Sequence, residues 1–131
     1  MQLTKNELQI MQVLWREGKP LLRSEILAAC VDRTWKDGSI HILLNSLIAQ
    51  GAIKEAGYGR SGKSIGRMYA ARISAAEYFI ETDIAPLGVA YIPALVKAMI
   101  DQKGITKEIL EQTKEIVTER SRDFESEVPG G

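Results

Sequence analysis

The stretch from Asp37 to Ile73 constrains this chain most. Residues Asp37 to Gln50 repeat apolar side chains with helical period and run straight into two short extended segments joined by a glycine-rich, cationic tip. The hairpin reads Ala52-Ile-Lys-Glu-Ala-Gly57, then Tyr58-Gly-Arg-Ser-Gly-Lys-Ser-Ile-Gly66, then Arg67-Met-Tyr-Ala-Ala-Arg-Ile73. Its tip is too polar to bury, and Arg60, Lys63 and Arg67 surround it with no acidic residue among them. On a helical wheel of about 100° per residue, Ile40, Leu43, Leu44, Leu47 and Ile48 fall on one side. The opposite side carries Gly38, Ile42, Asn45, Ser46 and Ala49, with Ser39 and His41 at its borders. Ile42 is the odd member of that polar face, and a partner would explain it.

Two helices are expected upstream. Thr4 as N-cap, Glu7 closing a capping box, and Leu3 with Leu8 as a hydrophobic staple predict a helix from Lys5 to Glu17, stopped by Gly18 and Pro20. Its apolar stripe is Leu8, Met11, Leu14 and Trp15. A second helix, Arg23 to Val31, turns Ile26, Leu27 and Cys30 inward, although Leu22 before it is a poor cap. Thr34-Trp35-Lys36 reads as an extended link, and Trp15 and Trp35 as core aromatics. Three short helices followed by a hairpin are the order of a winged helix, a mainly α fold with a small β-hairpin wing. There the third helix enters a DNA major groove and the wing lies on phosphates. The candidate DNA contacts are Lys36, Ser39, His41, Ile42, Asn45 and Ser46 on and before the third helix, with Arg60, Lys63 and Arg67 on the wing. Asn45 suits bidentate pairing with adenine, and Ile42 suits a thymine methyl. His41 is the single histidine, and its plain alternative is a polar surface residue.

A net charge of zero hides an asymmetry. Residues 1–72 hold 11 Lys+Arg against 6 Asp+Glu, a net +5, and residues 73–131 hold 6 against 11, a net −5. A polyanion is drawn to the first half and repelled by the second, so the two halves have different tasks. After Ser74 the pattern is helical again: Ala75 to Asp83, Pro86 to Gln102 and Thr106 to Arg122. Its apolar residues exceed what so small a bundle can enclose, and a second chain would cover Leu95, Met99, Ile109, Leu110, Ile116 and Val117. The expected organisation is a winged-helix domain over 1–73, helical dimerisation over 74–124, and an acidic, Gly/Pro-containing disordered tail over 125–131. No run of about 18 apolar residues and no basic-then-apolar leader pattern are present, so the cytoplasm is the expected compartment and no membrane partner is expected. Cys30 is the only cysteine, which excludes an intrachain disulfide and cysteine-rich metal sites. No catalytic constellation is recognisable, and neither a cofactor nor a metal is expected.

Gly57-Tyr-Gly-Arg-Ser-Gly62-Lys63-Ser64 satisfies the spelling of a nucleotide-binding P-loop. That motif must hand its phosphates to a helix N-terminus, whereas Gly66 follows almost at once and Met68 to Ile73 look extended. No later apolar strand ends in an aspartate for magnesium. A small P-loop protein and a winged helix that docks on another protein are therefore the alternatives to DNA binding.

Leu3-Thr-Lys-Asn-Glu-Leu-Gln-Ile-Met-Gln-Val-Leu-Trp15, Thr34-Trp35, Ile40 to Leu44, Leu47-Ile48, Gly51-Ala52-Ile53, Gly66-Arg67-Met-Tyr69 and Ala76-Glu77-Tyr78 together resemble the penicillinase-repressor family (BlaI, MecI and CopY type). The resemblance spans Leu3 to Tyr78. It implies a dimeric winged-helix repressor on a dyad-symmetric operator, with a sensor or protease controlling release in some members. Three departures stand out. Members often start the recognition helix with a Ser/Thr-Pro-Lys-Thr type sequence and carry a base near its middle, where this chain has Lys36-Asp37-Gly38-Ser39 and Asn45-Ser46; a different operator is implied. The Asn-Phe bond cleaved in β-lactam-responsive members does not occur here, nor do the paired cysteines of copper-responsive ones.

Overall fold

The computed structural model describes residues 1–127. The chain forms two compact units, Met1–Pro86 and Leu87 onward.

The first unit begins with α1 (Lys5–Glu17), closed at its start by the reciprocal capping box. The Glu7 amide donates to the Thr4 hydroxyl at 3.2 Å, and the Thr4 amide donates to Glu7 Oε1 at 2.9 Å. At the other end Gly18, with φ +66°, returns its amide to the Leu14 carbonyl, a left-handed conformation that glycine adopts without steric cost. Ile10, Met11, Val13 and Leu14 form the buried stripe. A two-residue strand follows, β1 (Leu21–Leu22), where the sequence suggests only a poorly capped helix start. α2 (Arg23–Ala29) needs no better cap, because the Leu22 amide donates to Glu25 Oε1 at 2.8 Å. It ends short of the expected Val31, which is exposed. Trp35 then anchors the link, buried and donating its indole N–H to Gln9 Oε1 at 2.9 Å.

The first turn of the expected third helix is a 3-10 turn, Asp37–Ser39, and α3 proper is Ile40–Ala49. No side chain caps its start. Ile40, Leu44 and Leu47 are fully buried and Leu43 and Ile48 half-buried, as the wheel predicts. The hairpin is β2 (Ile53–Ser61) and β3 (Ser64–Ala71), within an antiparallel sheet of order β1-β3-β2. Leu21 pairs with Tyr69, Leu22 with Met68, Ile53 with Ala71 and Ser61 with Ser64. The register slips between Glu55 and Tyr58, so that Ala56 and Gly57 oppose a single residue, with Gly57 at φ +88°. This β-bulge increases the local twist of the ribbon that carries the tip.

α4 (Ala75–Phe79), capped by the Ser74 hydroxyl, continues through a wider π-type turn, Ile80–Ile84, and a 3-10 turn, Ala85–Leu87. α4 belongs to the first compact unit. Tyr78 is the reason: it is buried, its hydroxyl accepts from the Leu3 amide at 3.1 Å, and its ring lies against Trp15 and Phe79. Trp15 in turn donates to the Ile73 carbonyl at 2.8 Å.

The second unit contains a 3-10 turn at Val89–Tyr91, α5 (Ile92–Ile100) and α6 (Lys107–Glu127). Gly88, at φ +84°, breaks the helix expected from Pro86, so α5 starts only at Ile92. Thr106 accepts from the Ile109 amide and caps α6. α6 extends past Arg122, which makes Glu125 to Glu127 helical instead of part of a disordered tail; residues 128–131 of that expected tail lie outside the described residues. Neither α5 nor α6 buries a residue. No single described helix is long and apolar enough to cross a membrane.

Candidate nucleic-acid interface

α3 packs Ile40, Leu44 and Leu47 inward, which leaves Ile42 and Asn45 on the outside. Ile42 is 72% exposed, and the Asn45 amide has no hydrogen-bond partner among the described residues. A large apolar side chain and a free carboxamide less than one turn apart are the two chemistries that read a thymine methyl and an adenine edge. Beside them His41 meets Arg23, the first residue of α2, whose guanidinium lies against both ring nitrogens, closer to Nε2 than to Nδ1. A guanidinium only donates, so the imidazole is the acceptor and Arg23 is held against α3. The hydroxyls of Ser24 and Ser61 lie 3.3 Å apart, tying the start of α2 to the wing tip. A groove of about 480 Å³ runs between these parts, lined by Arg23, Ser24, His41, Asn45, Ser61 and Arg67 among others.

The wing tip is a two-residue turn. Gly62 has φ +62° and Lys63 does not share a positive φ, the type II′ pattern that demands glycine first. Arg60 and Lys63 are exposed and make no ion pair among the described residues. Arg67 differs: it donates to Glu55 Oε1 at 2.9 Å, and Glu55, followed by Tyr58, raises its pKa. Two of the three wing cations are thus wholly available to a polyanion and the third is shared. Lys36 is exposed just before α3, and its carbonyl receives the amide of half-buried Ser39. Asp37, the acid on this edge, is engaged by Arg33.

The P-loop spelling has another cause. Gly57 occupies the bulge and Gly62 the turn, while a side chain at Gly59 would come within 2.9 Å of Met68 Sδ. Ser64 opens a strand, not a helix, so residues 57–64 build no phosphate cradle at a helix N-terminus.

Ser46 requires a correction. Expected on the exposed side, it is half-buried and donates to Glu7 Oε2 at 2.6 Å, because α1 crosses α3 along that edge. It faces the protein. Glu7, expected only as a capping residue, also accepts from the Gln50 amide at 2.8 Å. Burial on its own raises the Glu7 pKa, but the bonds from Ser46, Thr4 and Gln50 together outweigh it and hold the carboxyl below its ordinary value. Arg23 and Ser24 were not among the expected contacts. Arg23 adds to the cationic surplus of residues 1–72, yet only the tertiary crossing of α2 and α3 sets it beside His41.

Residues 3–119 match the family model described as "Penicillinase repressor". No curated protein matches the chain. Among solved structures, it is similar to a PadR family transcription regulator from hypervirulent Clostridium difficile, at 19% identity and TM-score 0.46, covering 74% of this chain and 99% of that one. A second, described as a transcriptional regulator, shares 11% identity at TM-score 0.42, covering 94% of this chain and 80% of the other.

Proposed function

The chain belongs to the penicillinase repressor family, and from that premise we propose that this DNA-binding transcriptional regulator is a homodimeric repressor of a dyad-symmetric operator. α3 enters the major groove and presents Asn45 and Ile42 to base edges. Arg60 and Lys63 contact phosphates from the wing, with Arg67 contributing what Glu55 leaves to it, and Lys36 and Ser39 meet the backbone near the start of α3. His41 acts through Arg23, which it holds toward the groove. Leu95, Met99, Ile109, Leu110, Ile116 and Val117 join two copies, and the protein works in the cytoplasm, where its DNA is.

The observation that supports this best is the uncovered face of α3. Among the described residues it offers an unpartnered Asn45 and an exposed Ile42, flanked by a wing whose tip cations Arg60 and Lys63 make no ion pair. The test is to enrich duplexes from a random pool with the wild-type protein and compare Asn45→Ala on the enriched and a scrambled duplex. A loss of about 1–3 kcal/mol on the enriched duplex and much less on the scrambled one is expected, because a bidentate base contact carries sequence preference. Equal losses on both would remove Asn45 from readout.

A further inference from the structure

We propose that Glu7 sets the rotation of α3 about its own axis, making it a positioning residue for base readout. The inference rests on the DNA-binding reading above. Glu7 is 4% exposed, the one charged residue buried among those described. A capping box uses only one carboxylate oxygen and works in water at a helix start. Here Oε1 does that task, accepting from the Thr4 amide, while Oε2 accepts from the Ser46 hydroxyl at 2.6 Å and the Gln50 amide at 2.8 Å. The Gln50 amide also lies 3.2 Å from the Ser46 hydroxyl, so the three side chains close on one another.

This is a costly way to join two helices if stability were its only use, since an apolar pair of similar volume commonly does as well as a buried charge. What directional bonds add is orientation. Ser46 and Gln50 lie one turn apart on one edge of α3, and a single oxygen grips both. That oxygen belongs to a side chain whose other end is fixed in the α1 cap. The packing of Ile40, Leu44 and Leu47 is non-directional and tolerates small rotations. Readout does not. Side-chain tips on a helix lie about 5–6 Å from its axis, so a turn of about 10° displaces the Asn45 amide by about 1 Å. That is enough to lengthen one bond of a bidentate pair beyond useful range. Asn45 is adjacent to Ser46 in sequence, and fixing one sets the phase of the other.

The experiment compares wild type, Ser46→Ala, Glu7→Gln and the double variant by fluorescence anisotropy. The probes are the duplex the wild type enriches from a random pool and a scrambled duplex of equal length. The readout is the ratio of the two affinities. Unfolding lowers both affinities alike, so a merely structural role leaves the ratio unmoved. Glu7→Gln conserves volume but sets an amide donor against other donors, and Ser46→Ala removes one hydroxyl near the surface and carries the test if Glu7→Gln fails to fold. Each single variant is expected to lower the ratio about tenfold, and the double variant no further than the larger single effect, because both break one link. An unchanged ratio in Ser46→Ala overturns the proposal whatever the melting temperature does. If the wild type enriches no duplex, the DNA-binding reading fails and this inference with it; enrichment with unchanged ratios sinks the positioning role alone.

Discussion

The two units solve the problem of apolar surface differently. In Met1–Pro86 side chains from α1, α2, α3, the sheet and α4 enclose one another, with Ile10, Met11, Ile26 and Leu47 shut off from solvent. Among the described residues from Leu87 onward nothing is buried: Met99 is 62% exposed, Ile116 68% and Val117 56%. Charge divides in the same sense, positive in the first part and negative in the second. A unit that hides its core is complete as a single chain. One that leaves isoleucine and valine in water along a long helix has the surface that the proposed pairing of two copies would cover.

Cutting the chain after Pro86 breaks the comparison most severely. The remaining unit should fold as a monomer with a cooperative melt, yet lose operator affinity by about 10²–10⁴-fold, because two half-site contacts are no longer linked. A truncated chain that binds the enriched duplex as tightly as the whole protein would remove dimerisation from the account. Next in size is the contrast between two apolar truncations. Leu44→Ala should cost about 2–5 kcal/mol at any protein concentration, since it opens a cavity in an enclosed core. Ile116→Ala should cost little in dilute solution and progressively more as concentration rises, the signature of a side chain covered only by association. Chemical denaturation at several concentrations separates the two, and a concentration-independent Ile116→Ala would leave that surface without a partner.

The electrostatic half of the comparison is gentler. Replacing Arg60 and Lys63 together with alanine should reduce the slope of log affinity against log salt by about 1–2 units and weaken enriched and scrambled duplexes alike. An unaltered slope takes the wing off the phosphates. Smallest is an acid effect confined to the first unit. Because the folded Glu7 carboxyl lies below its ordinary value, its contribution to stability is complete above the unfolded value and lost as pH falls through the folded one. Glu7→Gln should therefore flatten the fall in melting temperature below about pH 4.3, the ordinary glutamate value; an unchanged acid limb would show that other carboxylates govern it.

What could be seen in advance follows the range of the interactions. The capping box of Thr4 and Glu7, the stop at Gly18, the buried stripe of Ile40, Leu44 and Leu47 and the glycine turn at the wing tip are set by neighbours within a few residues, and each was legible. β1 was not, since two residues carry no periodicity and Leu21–Leu22 become a strand only by pairing with β3. Ser46 lies on the polar arc, where a wheel cannot tell water from a neighbouring helix, and its partner Glu7 is 39 residues away. Arg23 meets His41 through a crossing of helices that neither local pattern encodes. The P-loop spelling misleads for the opposite reason: a bulge at Gly57 and a turn at Gly62 each place glycine at positive φ independently and happen to fall at the motif's spacing.

The central claim is that residues beyond Leu87 exist to bring two copies of a self-contained reading domain onto one duplex. Sedimentation of the full chain at micromolar concentration, alone and with the duplex it enriches, tests this most directly. The account predicts a dimer in both cases, and on the duplex two protected half-sites whose centres lie about 34–36 Å apart or a multiple of that. A monomer that binds the same duplex tightly, one copy per site, would contradict it.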